Sequence, residues 1–208
     1  MRRAEKNATT RRLGPVGSEN WHAMLDAAEE ALLEKGVAAL TAARVSERLG
    51  IKRRLVYYYF QTLDDLIVET FRRISVRELA RIADAAASDK PLREIWDACI
   101  HTMHPRLITE FMALAHHIDG LRKEVTHFIE ESRRLQIQTL SAAIARVPGL
   151  TGADPEVLAV LATSTALSLL RERELGVTEG HDEVLLLIEN FLAAAEPQLA
   201  EQGQVVRT

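Results

Sequence analysis

The residues best suited to chemistry stand in one short run. Lys52, Arg53 and Arg54 set three cations side by side, and Tyr57, Tyr58 and Tyr59 follow with three phenols. A guanidinium is a planar fork of donors that matches two neighbouring acceptors, such as O6 and N7 of guanine; lysine and tyrosine bond phosphate oxygens, which sets register without reading sequence. Donors of this kind need an element that holds them on one side. Val56 and Phe60, four apart, give a short helix over 52–60 an apolar face and leave Lys52, Arg53, Arg54, Tyr57 and Tyr58 to solvent. Ahead of it, Thr41 caps another short helix whose Val45 and Leu49 turn inward, Gly50 suits a left-handed turn, and Ile51 pins that turn. Helix, glycine turn and helix in this order form a helix-turn-helix, whose second helix enters the major groove of DNA by its N-terminal end.

The histidines are the other chemical set. His101 and His104 lie three apart on a helix, and His116 and His117 are adjacent, with Asp119 near. Adjacent helical side chains point about 100° apart and do not converge on one ion. The chain has a single cysteine, Cys99, and no His-Glu-x-x-His arrangement, so neither a metal site nor a cofactor is expected. There is no nucleophile elbow, glycine-rich phosphate loop or recognised carboxylate pair, and catalysis is not expected. The competing class is an all-α cytosolic enzyme or metalloprotein using this His-rich middle.

The elements around these residues follow from apolar spacing. Residues 1–17 are polar and basic and read as an arm; Arg11 and Arg12 there could add phosphate or minor-groove contacts. Ser18 caps a helix with Trp21, Met24, Leu25, Ala28, Ala31 and Leu32 on one face, stopped by Gly36. Thr62 caps a long helix carrying Leu63, Leu66, Ile67, Thr70, Phe71 and Ile74 and running to about Ile82. Pro91 opens the next, with a stripe from Leu92 to Met103, interrupted at Pro105. A helix with Leu107, Ile108, Phe111, Leu114, Ala115 and Ile118 is punctuated by Gly120, and a long one follows over 121–146. Asp154 and Pro155 start a helix to Glu174, and the last spans 181–196. The expectation is an all-α chain of about nine helices. Its parts are an arm at 1–17, a helix-turn-helix domain at 18–64, a connecting helix at 65–84, a helical domain at 85–200 and a tail at 201–208.

Composition bounds the partners. Of 208 residues, 47% are apolar, enough for a folded core. The net charge of −4 hides an asymmetry. Residues 1–60 hold 11 Lys and Arg against 7 Asp and Glu, a balance of +4, and the remainder holds 15 against 23, a balance of −8. A basic head on an acidic body confines nucleic-acid contact to the head. No apolar stretch reaches the roughly 20 residues of a membrane span, and no apolar run follows the basic start as in a secretory signal. A cytoplasmic location without membrane contact is expected.

The run LTAARVSERLGIKRRLVYYYFQTLDDL, residues 40–66, resembles the DNA-binding domain of the tetracycline-repressor (TetR) family of bacterial regulators. The matching features are Thr41, the Gly50-Ile51 turn, the aromatic run Tyr57 to Phe60 and the start Asp64-Asp65-Leu66; the preceding helix sits where the family has its first. The resemblance covers about 18–70. It implies a regulator, usually a repressor, that binds a pseudo-palindromic double-stranded operator as a homodimer and is released by a small-molecule effector. It implies DNA contacts at Thr41, Lys52, Arg53, Arg54, Leu55, Tyr57, Tyr58, Tyr59 and Thr62. The chain departs from the pattern at Lys52, where a small capping residue is usual, at Arg54, often Gly or Pro, and at Leu55, often Thr. It departs again at Tyr59, commonly His, and at Leu63, commonly Lys. The departures imply a shifted and more basic contact set.

In the family the second domain holds the effector pocket and dimer interface. Here the helices over 157–170 and 184–192 are apolar on more than one side, which calls for a second burial surface. Trp96, Cys99, Met103, Phe111, Met112, Leu114 and Phe128 are the expected apolar pocket lining, with His116, His117 and Glu110 as polar groups. An effector with a sizeable apolar part is favoured.

Overall fold

The computed structural model describes residues 15–101, 105–145 and 152–196. Among them are nine α-helices, one 3-10 turn at Val37–Ala39 and no strand, so the all-α architecture stands. The chain divides into two compact units between Thr70 and Phe71, a point inside a helix.

The first unit is assembled by caps and a small apolar core. Helix α1 (Glu19–Lys35) starts where Ser18 Oγ accepts the Trp21 N–H at 3.3 Å, and ends at Gly36, whose φ of 77° few other residues adopt. Helix α2 (Ala42–Arg48) starts on Thr41, whose hydroxyl accepts the Arg44 N–H at 3.1 Å. Helix α3 (Arg53–Tyr59) follows the turn, and α4 (Leu63–Ala86) opens on a reciprocal cap. Thr62 Oγ1 accepts the Asp65 N–H at 3.1 Å while the Asp65 carboxylate accepts the Thr62 N–H at 2.9 Å. Met24, Leu25, Leu32, Leu40, Val45, Val56, Phe60 and Leu66 close together as the core. Leu49 and Ile51, expected inside, are half-buried, because the turn that carries them runs along the edge of so small a unit.

The second unit contains α5 (Pro91–Ile100), α6 (Pro105–Ala115), α7 (Asp119–Ile144), α8 (Pro155–Glu174) and α9 (His181–Ala195). Its core includes Phe71, Ile74, Ile82, Leu92, Ile95, Leu107, Phe111, Leu121, Val125, Ala159, Ala166, Leu169 and Leu192. A partner remote in sequence completes the start of α5. Lys90 offers no side-chain cap, and the Glu196 carboxylate accepts the N–H groups of Leu92 at 2.6 Å and Arg93 at 3.1 Å. The Arg93 guanidinium holds Glu189 by two bonds of 2.8 and 2.7 Å, so α9 is fastened to α5 at two points.

Two expected boundaries move. The stripe predicted to run to Met103 stops with α5 at Ile100, where His101 leaves helical geometry; residues 102–104 lie outside the described residues. Gly120 does not separate two helices but sits in the first turn of α7. The bend is made by extended Ile118, and Arg122 reaches back to the carbonyls of Ala115 and His116 at 3.0 Å each. Those bonds satisfy the end of α6 without a glycine.

Asp154 caps α8 by accepting the N–H groups of Glu156 at 2.8 Å and Val157 at 3.3 Å, with Pro155 in the first turn. Asp154→Ala is expected to lower unfolding free energy by about 1 kcal/mol, read as a lower denaturant midpoint at unchanged slope. An unchanged midpoint would show that the cap is replaced by water at no cost.

Candidate functional site

The turn between α2 and α3 sets the basic face. Gly50 has φ 63°, and a Cβ there would meet nothing within 4 Å, so backbone conformation rather than space calls for glycine. The Gly50 N–H donates to Glu47 O at 3.1 Å and the Ile51 N–H to Ser46 O at 2.9 Å. From this turn α3 leaves with Val56 buried, and Phe60 just beyond it is buried too, stacked on Trp21 at 6.3 Å between ring centroids. With those anchors inside, Lys52, Arg53, Arg54, Tyr57 and Tyr58 are exposed together, as their spacing predicts.

The remaining expected contact residues are placed differently. Leu55 and Tyr59 are half-buried. The Tyr59 hydroxyl lies 3.5 Å from Asn20 Nδ2, and hydrogen bonds from Ser18 and Asn20 lower its pKa. Tyr59 therefore ties α3 to the start of α1. Thr41 and Thr62 are exposed at the starts of α2 and α4, and both hydroxyls are engaged in capping. Arg11 and Arg12 lie outside the described residues. Arg48, which the sequence pattern does not single out, pairs with Glu30 at 3.1 Å and with Glu34, and the Arg48 hydrogen bond holds the Glu34 carboxyl below its ordinary pKa. The charge of Arg48 is thus engaged within the unit.

Lys52 stands at the cap position of α3 without a side-chain cap bond, and Arg53 and Arg54 occupy its first turn. A helix N-terminus carries partial positive charge, so cations there cost each about 0.3–1 kcal/mol. Three at that end do nothing for the fold and suit an anionic partner.

Two of the cavities in the second unit adjoin one another. The first, about 200 Å³, is lined mainly by Phe71, Ile82, Ile108, Phe111, Phe128 and Leu167. The second, about 390 Å³, is lined by Trp96, Leu140, Leu158, Ile188 and Phe191 among others. Cys99 and Gln136 line both. Gln136 is buried; its Nε2 lies 3.5 Å from Cys99 Sγ and its Oε1 accepts from Thr163 at 3.0 Å. Burial pushes the Cys99 thiol up to about 11, which keeps it protonated and unreactive.

Of the expected pocket residues, Phe111, Met112 and Phe128 line the first cavity, Trp96 the second and Cys99 both. His116 and His117 are exposed after the end of α6 and line neither; Glu110 pairs with Arg106 at 2.6 Å; Met103 lies outside the described residues. Sequence reasoning missed Gln136, Thr163 and Arg133. The available signal was a polar residue at core spacing, since Gln136 continues the Val125, Phe128, Ser132 series on α7. Among the described residues no three His, Cys, Asp or Glu side chains gather as a metal site, and no helix is long and apolar enough to cross a membrane.

Residues 24–70 match the family model for bacterial regulatory proteins of the tetR family. No curated protein matches the chain. Among solved structures, a TetR transcription regulator from Haloarcula marismortui is 20% identical with a TM-score of 0.69, covering 83% of this chain and 96% of that one. A TetR/AcrR-family regulator from Thermobifida fusca is 18% identical with a TM-score of 0.63, covering 84% and 97%. The ketosteroid transcriptional regulator of Mycobacterium tuberculosis is 17% identical with a TM-score of 0.58, covering 88% and 96%. At these identities the likeness is one of fold.

Proposed function

We infer that this chain, whose residues 24–70 match the family model for bacterial regulatory proteins of the tetR family, is a transcriptional repressor of that kind that binds a pseudo-palindromic operator as a homodimer and lets go when a small effector occupies its second unit. The observation that carries the DNA reading is the exposure of Lys52, Arg53, Arg54, Tyr57 and Tyr58 on one short helix whose opposite side is held by Val56 and Phe60. Arg53 and Arg54 read bases, and Lys52 with Tyr57 and Tyr58 grips phosphates. Thr41, Leu55 and Thr62 flank that contact, and Tyr59 orients α3 from within.

The dimer reading rests on apolar surface. Leu161 is 57% exposed on α8, and Leu186 and Leu187 are 61% and 70% exposed on α9, with Val157 and Val160 also exposed. A two-fold contact of these helices would bury them and set two α3 helices for the half-sites of one operator. Release requires the effector to favour one conformation over the other by free energy of binding. The reading places the protein in the cytoplasm, where its DNA is.

Selection of bound duplexes from random DNA at stated salt tests this reading, with a pseudo-palindrome carrying guanines in each half-site as the expected product. Failure to enrich any sequence at moderate salt overturns it. On the selected operator, Arg53→Ala and Arg54→Ala are each expected to cost about 1–3 kcal/mol and to relax preference at one base pair, with folding unharmed. Lys52→Ala should instead weaken all sequences alike and flatten the salt dependence. Equal affinity and unchanged base preference in both arginine variants would remove them as base readers.

A further inference from the structure

The first cavity has an electrostatic asymmetry that its aromatic lining hides. Arg133 is the one ionised side chain among the described residues that line it, and no carboxylate joins it there. Its guanidinium makes no hydrogen bond or ion pair with the described residues, unlike Arg81, which bonds Glu78 and the Ala98 carbonyl. Cys99 in the cavity wall feels the charges of Arg81 and, less strongly, Arg133, both opposing the effect of burial on the thiol. A half-buried cation against apolar walls, without a counter-charge, keeps its donors open to an anion that enters.

A second donor stands beside it. Arg133 and Gln136 lie three apart on α7 and share one face of the helix. The Gln136 amide nitrogen carries two hydrogens, and Cys99 takes one of them through a long 3.5 Å contact. The other has no partner among the described residues. A guanidinium fork with a neighbouring amide N–H is a donor set for the two oxygens of a carboxylate. In the same cavity wall, Phe71, Phe111 and Phe128 form an edge-to-face aromatic group, with centroids 5.1 and 6.2 Å from Phe71. A dry cavity of about 150 Å³ accepts a benzene ring, so about 200 Å³ leaves room for a ring and a short acidic arm.

We propose that this cavity binds a small organic acid, its ring or short chain among Phe71, Phe111 and Phe128 and its carboxylate held by Arg133 with the Gln136 amide. This rests on, and narrows, the reading of the second unit as the effector site. The anion completes the donor set of α7, and the acid is selected over neutral molecules of the same shape because only it relieves the unpaired cation.

Binding to the purified full chain, without DNA, tests the site by calorimetry with phenylacetate and hexanoate against phenylacetamide and hexanamide. The wild type is expected to bind at least one acid about 10- to 100-fold more tightly than its amide, as a hydrogen bond to a charged group implies. Arg133→Gln should erase that preference while leaving the amide's affinity and the melting temperature as they were, and Arg133→Lys should restore part of it. Equal binding of acid and amide, an acid preference that survives Arg133→Gln, or no binding of either acid at millimolar concentration overturns the proposal. Operator release is measured separately. Acid binding that leaves operator affinity unchanged keeps the anion site and removes its regulatory role. Release by the neutral amides alone keeps an effector-released regulator and removes the anion site.

Discussion

Phe60→Ala is expected to destabilise the first unit by about 3–5 kcal/mol and to abolish operator binding at temperatures where the wild type is fully folded. Phe60 is buried at the end of α3, its ring stacks on Trp21 of α1, and with Val56 it forms the inner side of the helix that exposes the basic run. Truncation removes the burial of a large ring and leaves a cavity that so small a core cannot readily fill. Set against a typical stability of about 5–15 kcal/mol, the loss is a large share. Denaturant unfolding followed by Trp21 fluorescence measures it, with Trp96 replaced so that one reporter remains. Tyr58→Ala is the control: its ring is exposed, and stability should change by less than about 0.5 kcal/mol while affinity for DNA falls. A loss below about 1 kcal/mol for Phe60→Ala would show that α3 is held by other contacts.

The paired change Leu186→Glu and Leu187→Glu is expected to convert a dimer to a monomer and to weaken operator binding by at least about 100-fold. Both leucines are largely exposed on α9 in the single subunit, so charging them should leave folding nearly unaffected. In a two-fold interface each new carboxylate would be buried without a counter-charge, at about 3–5 kcal/mol, and symmetry counts it twice. Sedimentation gives the mass and a binding titration the affinity. A variant that keeps the dimer mass places the interface elsewhere; a wild type that is monomeric at micromolar concentration ends the dimer reading.

Glu196, Arg93 and Glu189 set what these α9 variants can be asked. They fasten α9 to α5 by hydrogen bonds from a helix start to Glu196, nine residues beyond Leu187, and by a bidentate ion pair to Glu189, two residues beyond it. The Glu196 attachment lies more than two turns from the new carboxylates and should hold the helix in place while association is lost.

Local rules were enough to read much of this molecule from its residues. Ser18, Thr41, Thr62 and Asp154 each cap the helix that follows, because a short polar side chain meets the N–H groups of the next turn whatever surrounds it. Gly50 marks the turn for an equally local reason, and the four-residue spacing of Val56 and Phe60 sets which side of α3 faces out. The exposed basic run was therefore legible in the residues alone. Partners distant in the chain were not. Nothing near Tyr59 announces Asn20, nothing near Lys90 announces Glu196, and Arg48 is written like any surface cation although Glu30 and Glu34 engage it. The cavities were legible only as a list of apolar residues. That Gln136 stands between two of them, that Arg133 faces one without a counter-charge, and that His116 and His117 line neither depends on how α5, α6, α7 and α8 converge. Side-chain period along one helix names a face; which neighbours meet that face is settled by packing between helices, and packing carries no short-range signature.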